Sequence, residues 1–183
     1  IIVVLGALLE KTGASGVLMD IAVSMTRNSR GGPAKAAVVG SSLMGMISGT
    51  AVANVLTTGT ISIPLMRRGG YRPAVAGAVE AVASTGGQLM PPIMGAAAFL
   101  MADIMEVPYL DITKAALLPA LLFYIAVFAS VHLEAVKTGL KPLESIDIPD
   151  VAQSLRNSGH VLLSIPVFIG TLISGYSVMY SSL

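Results

Sequence analysis

The hydroxyls of Ser48, Thr50, Thr57, Thr58 and Thr60, and further on those of Ser84 and Thr85, stand in stretches whose other residues are almost all apolar. Hydroxyls and carbonyls freed from helix bonding are hard oxygen donors that suit a monovalent cation such as sodium without any carboxylate. The N-termini of half-helices in turn suit an anionic substrate. Each hydroxyl taken singly has a plainer reading, because Ser, Thr and Gly also let helices pack closely in lipid. Asn54 and Gln88 add two amides that suit a bound solute or, equally, a helix-to-helix hydrogen bond. Glu80 is an acid inside an apolar stretch and therefore a functional candidate by default. It follows Arg72 by eight positions, about two helical turns, so a salt bridge to Arg67, Arg68 or Arg72 is expected, with a proton relay as the alternative. His132 and Glu134 are two apart and would not face each other on a helix. No phosphate-binding loop, zinc-protease motif or nucleophile elbow occurs, so neither an enzyme nor a cofactor is expected.

Positioning such groups is a task for a membrane protein here. Of the 183 residues 54% are hydrophobic and only 11% charged, with a mean hydropathy of +0.81, whereas a soluble globule carries about 25% charge. A net charge of +1 argues against nucleic acid as a partner, since phosphate binding needs a surface of one sign. The absence of Cys removes disulfides, thiol nucleophiles and thiolate metal sites from consideration.

The clusters of charge mark out the elements. Ile1 to Leu9 is expected to be the tail of a transmembrane helix that starts upstream, which makes the chain a fragment of something longer. Within the segment 1–35 an amphipathic helix follows from Gly16 to Arg27, with Val17, Leu18, Ile21, Ala22 and Met25 on its apolar side, lying in the membrane interface or packed on a neighbouring subunit. The uncharged run Ala36 to Met66 holds 31 residues and as one helix would be about 46 Å long, against a hydrocarbon core of about 30 Å. Basic residues flank both ends, with Arg27, Arg30 and Lys35 before and Arg67, Arg68 and Arg72 after. If basic flanks mark the cytoplasmic side, the run enters and returns as a re-entrant hairpin over 36–66, its tip near Gly45 to Thr50. A long tilted helix with Gly45 and Gly49 as a packing face is the alternative.

From 73 to 102 the segment Thr85-Gly86-Gly87-Gln88 and then Pro91-Pro92 cannot stay in an unbroken helix. A discontinuous helix, unwound from about Thr85 to Pro92, is expected. Asp103, Glu106 and Asp111 suit the far side of the membrane. A plain apolar helix over 115–131 returns to the basic side. Residues 132–158 read as a cytoplasmic linker, and 159–183 as a further transmembrane helix with Tyr176 and Tyr180 as interfacial anchors.

Two segments, Ile47-Ser48-Gly49-Thr50-Ala51-Val52-Ala53-Asn54 and Thr85-Gly86-Gly87-Gln88-Leu89-Met90-Pro91-Pro92, occur together, and over about Leu5 to Lys141 the chain resembles the large membrane subunit of tripartite ATP-independent periplasmic transporters. It looks most like the branch in which small and large subunits are fused, and the stretch from His160 to Tyr180 resembles the start of the next section. The resemblance implies an all-α, multi-pass protein of the bacterial inner membrane, half of an inverted-repeat, elevator-type transporter. It implies a sodium-coupled importer of organic acids, commonly C4-dicarboxylates, fed by a periplasmic substrate-binding protein. It further implies a small membrane subunit or its fused equivalent, and a second repeat that this chain lacks. Carried over by motif position, Ser48, Gly49, Thr50, Thr85, Gly86 and Gly87 are the sodium-site candidates, and Asn54 and Gln88 the substrate-site candidates. A passive channel or a structural membrane subunit is the competing function, motivated by the small-residue helix faces.

Overall fold

The computed structural model describes residues 13–140 together with Pro142, Arg156 and Gly170. The expected tail helix at Ile1 to Leu9, most of the linker and the helix over 159–183 lie outside the described residues. Among those described, the protein is all-helical. The helices are α1 (Ala14–Thr26), α2 (Gly32–Ser48), α3 (Ala51–Arg68), α4 (Pro73–Gly86), α5 (Ala96–Ile104) and α6 (Tyr109–Lys137), with a single 3-10 turn at Gly87–Leu89 between α4 and α5.

The helix ends follow from Gly and Pro. Gly31 adopts a left-handed conformation and Pro33 stands in the first turn of α2, where a missing N–H costs nothing. Gly49, at φ 62°, ends α2 in the same left-handed region, and its N–H caps the Gly45 carbonyl. That conformation is cheap only for Gly. Thr50 is extended and starts α3 at once, so two helices of 17 and 18 residues are joined by two residues. Pro73 opens α4 behind an extended Arg72, as the residue before a proline prefers.

Successive helices run antiparallel. Met19 packs on Gly40 across α1 and α2, Ser41 meets Thr58 across α2 and α3, and Ser62 meets Glu80 across α3 and α4. A central core of Ala34, Ala37, Val38, Met66, Tyr71, Ala76, Ala83, Tyr124, Val131 and Ala135 ties α2, α4 and α6 together. Alanines at these contacts let the helix axes approach closely, which is the usual way of packing helices where no water drives them together.

Two elements differ from the sequence reading. Helix α1 lies on α2 of its own chain, burying Val17, Leu18, Met19, Ala22 and Val23, while Met25 is 72% exposed. Ala36 and Gly40 offer a smooth surface on α2 that Met19 fills, so the intrachain contact takes the face expected to meet membrane or a neighbour. Helix α6 extends beyond 115–131 at both ends and takes in Asp111, Lys114, His132, Glu134 and Lys137. Charges near the end of a helix do not stop it, and Lys114 and Asp111 pair at 3.2 Å one turn apart. At 29 residues α6 is about 43 Å long. Among the described residues it is the one helix long and apolar enough to cross a bilayer.

Candidate functional site

Two polar regions occupy the interior, and the first surrounds Glu80. Its side chain is fully buried. Oε1 accepts hydrogen bonds from Thr58 Oγ1 at 2.5 Å and from Ser41 Oγ and Ser84 Oγ at 3.0 Å each, and Oε2 accepts one from Ser62 Oγ. These donors come from α2, α3 and α4, so one carboxylate joins three helices. The expected salt bridge does not form: Arg67, Arg68 and Arg72 are exposed at the α3–α4 end, and no ion pair involves Glu80 among the described residues. The reason is geometric. Glu80 sits two turns inside α4 with Gly59 opposite, where a Cβ would lie 3.3 Å from Glu80 Cγ. The side chain therefore fills the space beside that glycine and meets hydroxyls, not the arginines at the rim. Fully hydrogen-bonded polar groups are the condition on which a buried acid is tolerated.

Asn54 extends this cluster. It is completely buried, its Nδ2 donates to the Ser41 carbonyl at 2.8 Å, and its own carbonyl is 2.7 Å from Thr58 Oγ1. Of its two readings from sequence, the structure displays the helix-to-helix hydrogen bond. Ser41 and Ser62 carry as much of the cluster as Thr58 and were not singled out from sequence. A signal was present: Asn54, Thr58 and Ser62 recur at intervals of four, which places them on one face of α3, and Glu80 and Ser84 are likewise one turn apart on α4.

The second region is made of backbone. The α2–α3 turn at Ser48, Gly49 and Thr50 meets the segment between α4 and α5, in which no α-helix runs from Gly87 to Gly95. A Cβ on Gly45 would stand 2.3 Å from Gly87 Cα, and one on Gly49 would stand 2.4 Å from the Met94 carbonyl oxygen. Both are distances no side chain tolerates, so the two chains touch backbone to backbone. Around the turn, the carbonyl oxygens of Gly49 and Met94 both border the contact, and Ser48 Oγ is 3.4 Å from the Thr50 carbonyl. Opposite, the one proton of Tyr109 Oη at the start of α6 is shared between the carbonyls of Ile93 at 2.5 Å and Pro92 at 3.0 Å, and its ring stacks on Phe99 at 4.6 Å. The non-helical backbone is thus held by a phenol whose importance the sequence did not suggest.

The candidates from sequence divide accordingly. Ser48, Gly49 and Thr50 are together at the turn, and Gly87 faces Gly45 one helical turn back. Gly86 lies instead under Phe123 and Tyr124, with no room for a Cβ. Thr85 is exposed and donates to the Ala81 carbonyl of its own helix at 2.7 Å. Gln88 is exposed, its backbone carbonyl accepting the Gly95 N–H at 2.8 Å. In the link between α3 and α4, Tyr71 packs under Gly31, and burial followed by the negative charge of Glu134 pushes its hydroxyl up to about 12.

Close helix contacts through glycine, a broken helix and a long apolar helix are features of helical membrane transporters. The chain belongs to the family described as tripartite ATP-independent periplasmic transporter, DctM component, whose pattern matches residues 1–181. That family consists of transporter components, not enzymes. Among its relatives, the C4-dicarboxylate TRAP transporter large permease protein DctM of Pseudomonas aeruginosa is 29% identical over 93% of this chain and 39% of its own length. The uncharacterized protein YgiK of Salmonella typhimurium is 27% identical over 94% of this chain and 40% of its own. A third, uncharacterized protein y4mL of Sinorhizobium fredii, is 32% identical over 57% of this chain and 25% of its own. The chain therefore spans about two fifths of the length of the first two relatives.

Proposed function

We propose that this chain forms the first repeat of a sodium-coupled importer of organic acids in the bacterial inner membrane, and that the Ser48–Thr50 turn is a coupling-ion site of that importer. The observation that carries the reading is the backbone-to-backbone contact of Gly45 with Gly87 and of Gly49 with Met94. That contact carries the carbonyls of Gly49 and Met94, and the Ser48 hydroxyl adjoins it in sequence, 3.4 Å from the Thr50 carbonyl. Carbonyl and hydroxyl oxygens without a carboxylate match what a monovalent cation takes. Gly87 contributes by permitting the approach. Thr85 and Gly86 stand apart from the site, Thr85 on the Ala81 carbonyl and Gly86 under Phe123 and Tyr124.

In this reading α2 and α3 form a re-entrant hairpin whose ends both return to the basic side, and hairpin and broken helix move together against the rest of the permease. The substrate class follows the relative named for C4-dicarboxylates. Delivery by a periplasmic binding protein, partnership with a small membrane subunit and completion by a second repeat follow the family. The test is uptake of a labelled C4-dicarboxylate by the full-length permease in proteoliposomes with its binding protein. Accumulation that requires an inward sodium gradient is the expected result. Uptake unchanged on replacing sodium by potassium would overturn the coupling, and a passive channel would show as flux down the gradient with neither ion nor binding protein.

A further inference from the structure

Between α2 and α6 lies a groove of about 510 Å³, open to one side along α6, and the functional reading above makes no use of it. Its walls include Leu121, Ile125 and Phe128, and Lys35 and His132 stand toward one end, with Ser42 about two turns along α2 from Lys35. Ile125 is 63% exposed, so the opening runs along the helix long enough to cross a bilayer. Lys35 is only 4% exposed. Among the described residues its ammonium has no carboxylate or hydrogen-bond acceptor, and its one contact of this kind is the face of the Phe128 ring, 5.2 Å from the centroid. A ring face compensates an ammonium only in part, so this cation can still take an anion. The groove therefore joins a cation at one end to an apolar length.

We infer that this groove binds an anionic phospholipid, its phosphate on Lys35 beside His132 and an acyl chain along Leu121, Ile125 and Phe128. The level is right for a headgroup. Lys35 is in the first turn of α2 and His132 in the last two turns of α6, at the end of the bundle that also carries Arg27, Arg30 and Lys137. Basic pockets between transmembrane helices on the cytoplasmic side are the known setting for phosphate headgroups. A helix from the remainder of the permease is the competing occupant of the apolar length, and it would leave lipid binding indifferent to Lys35. The inference needs only that the chain is in a membrane, and so stands apart from the sodium and substrate readings.

The test uses the full-length permease in a non-ionic detergent, with bound lipid measured by native mass spectrometry and melting temperature followed as lipid is added. Phosphatidylglycerol is expected to bind and raise the melting temperature, while phosphatidylcholine and inorganic phosphate at the same concentration do not. Lys35→Gln should weaken phosphatidylglycerol binding about tenfold or more, as the loss of one charge-assisted contact predicts, and Lys35→Arg should retain it. Ala129→Phe, which fills the groove without touching the ammonium, should block the lipid as well, and decides the matter if Lys35→Gln does not fold. Equal binding of the two phospholipids, a full effect of phosphate alone, or phosphatidylglycerol binding indifferent to both Lys35→Gln and Ala129→Phe would each overturn the inference. The last result is the one a covering protein helix would give.

Discussion

The two polar regions of the interior are built on opposite principles. Around Glu80 the carboxylate is met entirely by side-chain hydroxyls, each polar atom has a partner, and the cluster is sealed among three helices. At the Ser48–Thr50 turn the polar atoms are largely backbone, and the oxygens come together because glycine removes the side chains between them. A satisfied side-chain cluster gives rigidity, since any movement breaks several bonds at once. A backbone site keeps lone pairs available to a ligand. The Glu80 cluster thus holds α2, α3 and α4 as one body, and the ion site proposed for the turn calls for the second kind of construction.

The strongest way to break that assignment is to separate the turn from the broken helix. Gly45→Val places methyl groups where the Gly87 backbone already lies, and neither backbone can yield without moving a helix. Overpacking of this kind costs about 3 kcal/mol. Uptake should fall to background while α2 and α3 remain helical by circular dichroism. Uptake near the parent level would mean that the contact is not needed for function.

Next in size is Glu80→Ala. It removes the acceptor of four hydroxyls, and although Thr58 retains the Asn54 carbonyl at 2.7 Å, Ser41, Ser62 and Ser84 must find new acceptors. Unsatisfied buried groups of this kind cost about 1–3 kcal/mol in total after such rearrangement. The permease should melt several degrees lower in detergent, with uptake reduced in proportion to folded protein and its sodium half-saturation unchanged. Glu80→Gln keeps one acceptor oxygen and should fall between. A stably folded Glu80→Gln protein that accumulates no substrate would move Glu80 from the scaffold into the coupling machinery.

These two cases also show what could be read from sequence. The breaks were legible because they depend on residue type alone: Gly and Pro in an apolar run cannot continue a helix, so Gly86 to Pro92 and the Gly45 to Thr50 region announce themselves. The partner of Glu80 was not, because it depends on which faces meet. Arg72 is nearer in sequence, but Ser41, Thr58 and Ser62 are nearer in space, and taken one at a time each hydroxyl looks like a packing residue. The four-residue interval of Asn54, Thr58 and Ser62 held the information as a stripe. Helix α1 was misplaced for a similar reason, since periodicity gives an apolar face and not what covers it. The hold of Tyr109 on the Pro92 and Ile93 carbonyls left no trace in any pattern.

A smaller effect separates the ion from the scaffold. Ser48→Ala deletes a hydroxyl whose partner, the Thr50 carbonyl, is 3.4 Å away, too distant to matter much for stability. Melting temperature should stay within a degree or two. If Ser48 Oγ is an ion ligand, the sodium concentration for half-maximal uptake should rise on the order of tenfold, the worth of about 1.4 kcal/mol. An unchanged sodium curve would leave the turn a structural hinge and place the coupling ion elsewhere.

The smallest change expected is at Thr85, and it sharpens the contrast because Thr85 has the same motif-based claim to sodium as Ser48. Its hydroxyl is exposed and already donates to the Ala81 carbonyl at 2.7 Å, a bond within its own helix turn that slightly favours bending and adds little stability. Thr85→Val preserves the shape and removes only the oxygen. Stability should change by no more than about 0.5 kcal/mol, as for surface substitutions generally, and sodium dependence of uptake should stay within twofold of the parent, on the order of 0.4 kcal/mol. A shift as large as that of Ser48→Ala would require Thr85 to turn its hydroxyl from Ala81 toward the turn when sodium binds. The unwound segment would then supply side-chain ligands, and the division between a side-chain scaffold and a backbone ion site would hold only before the ion arrives.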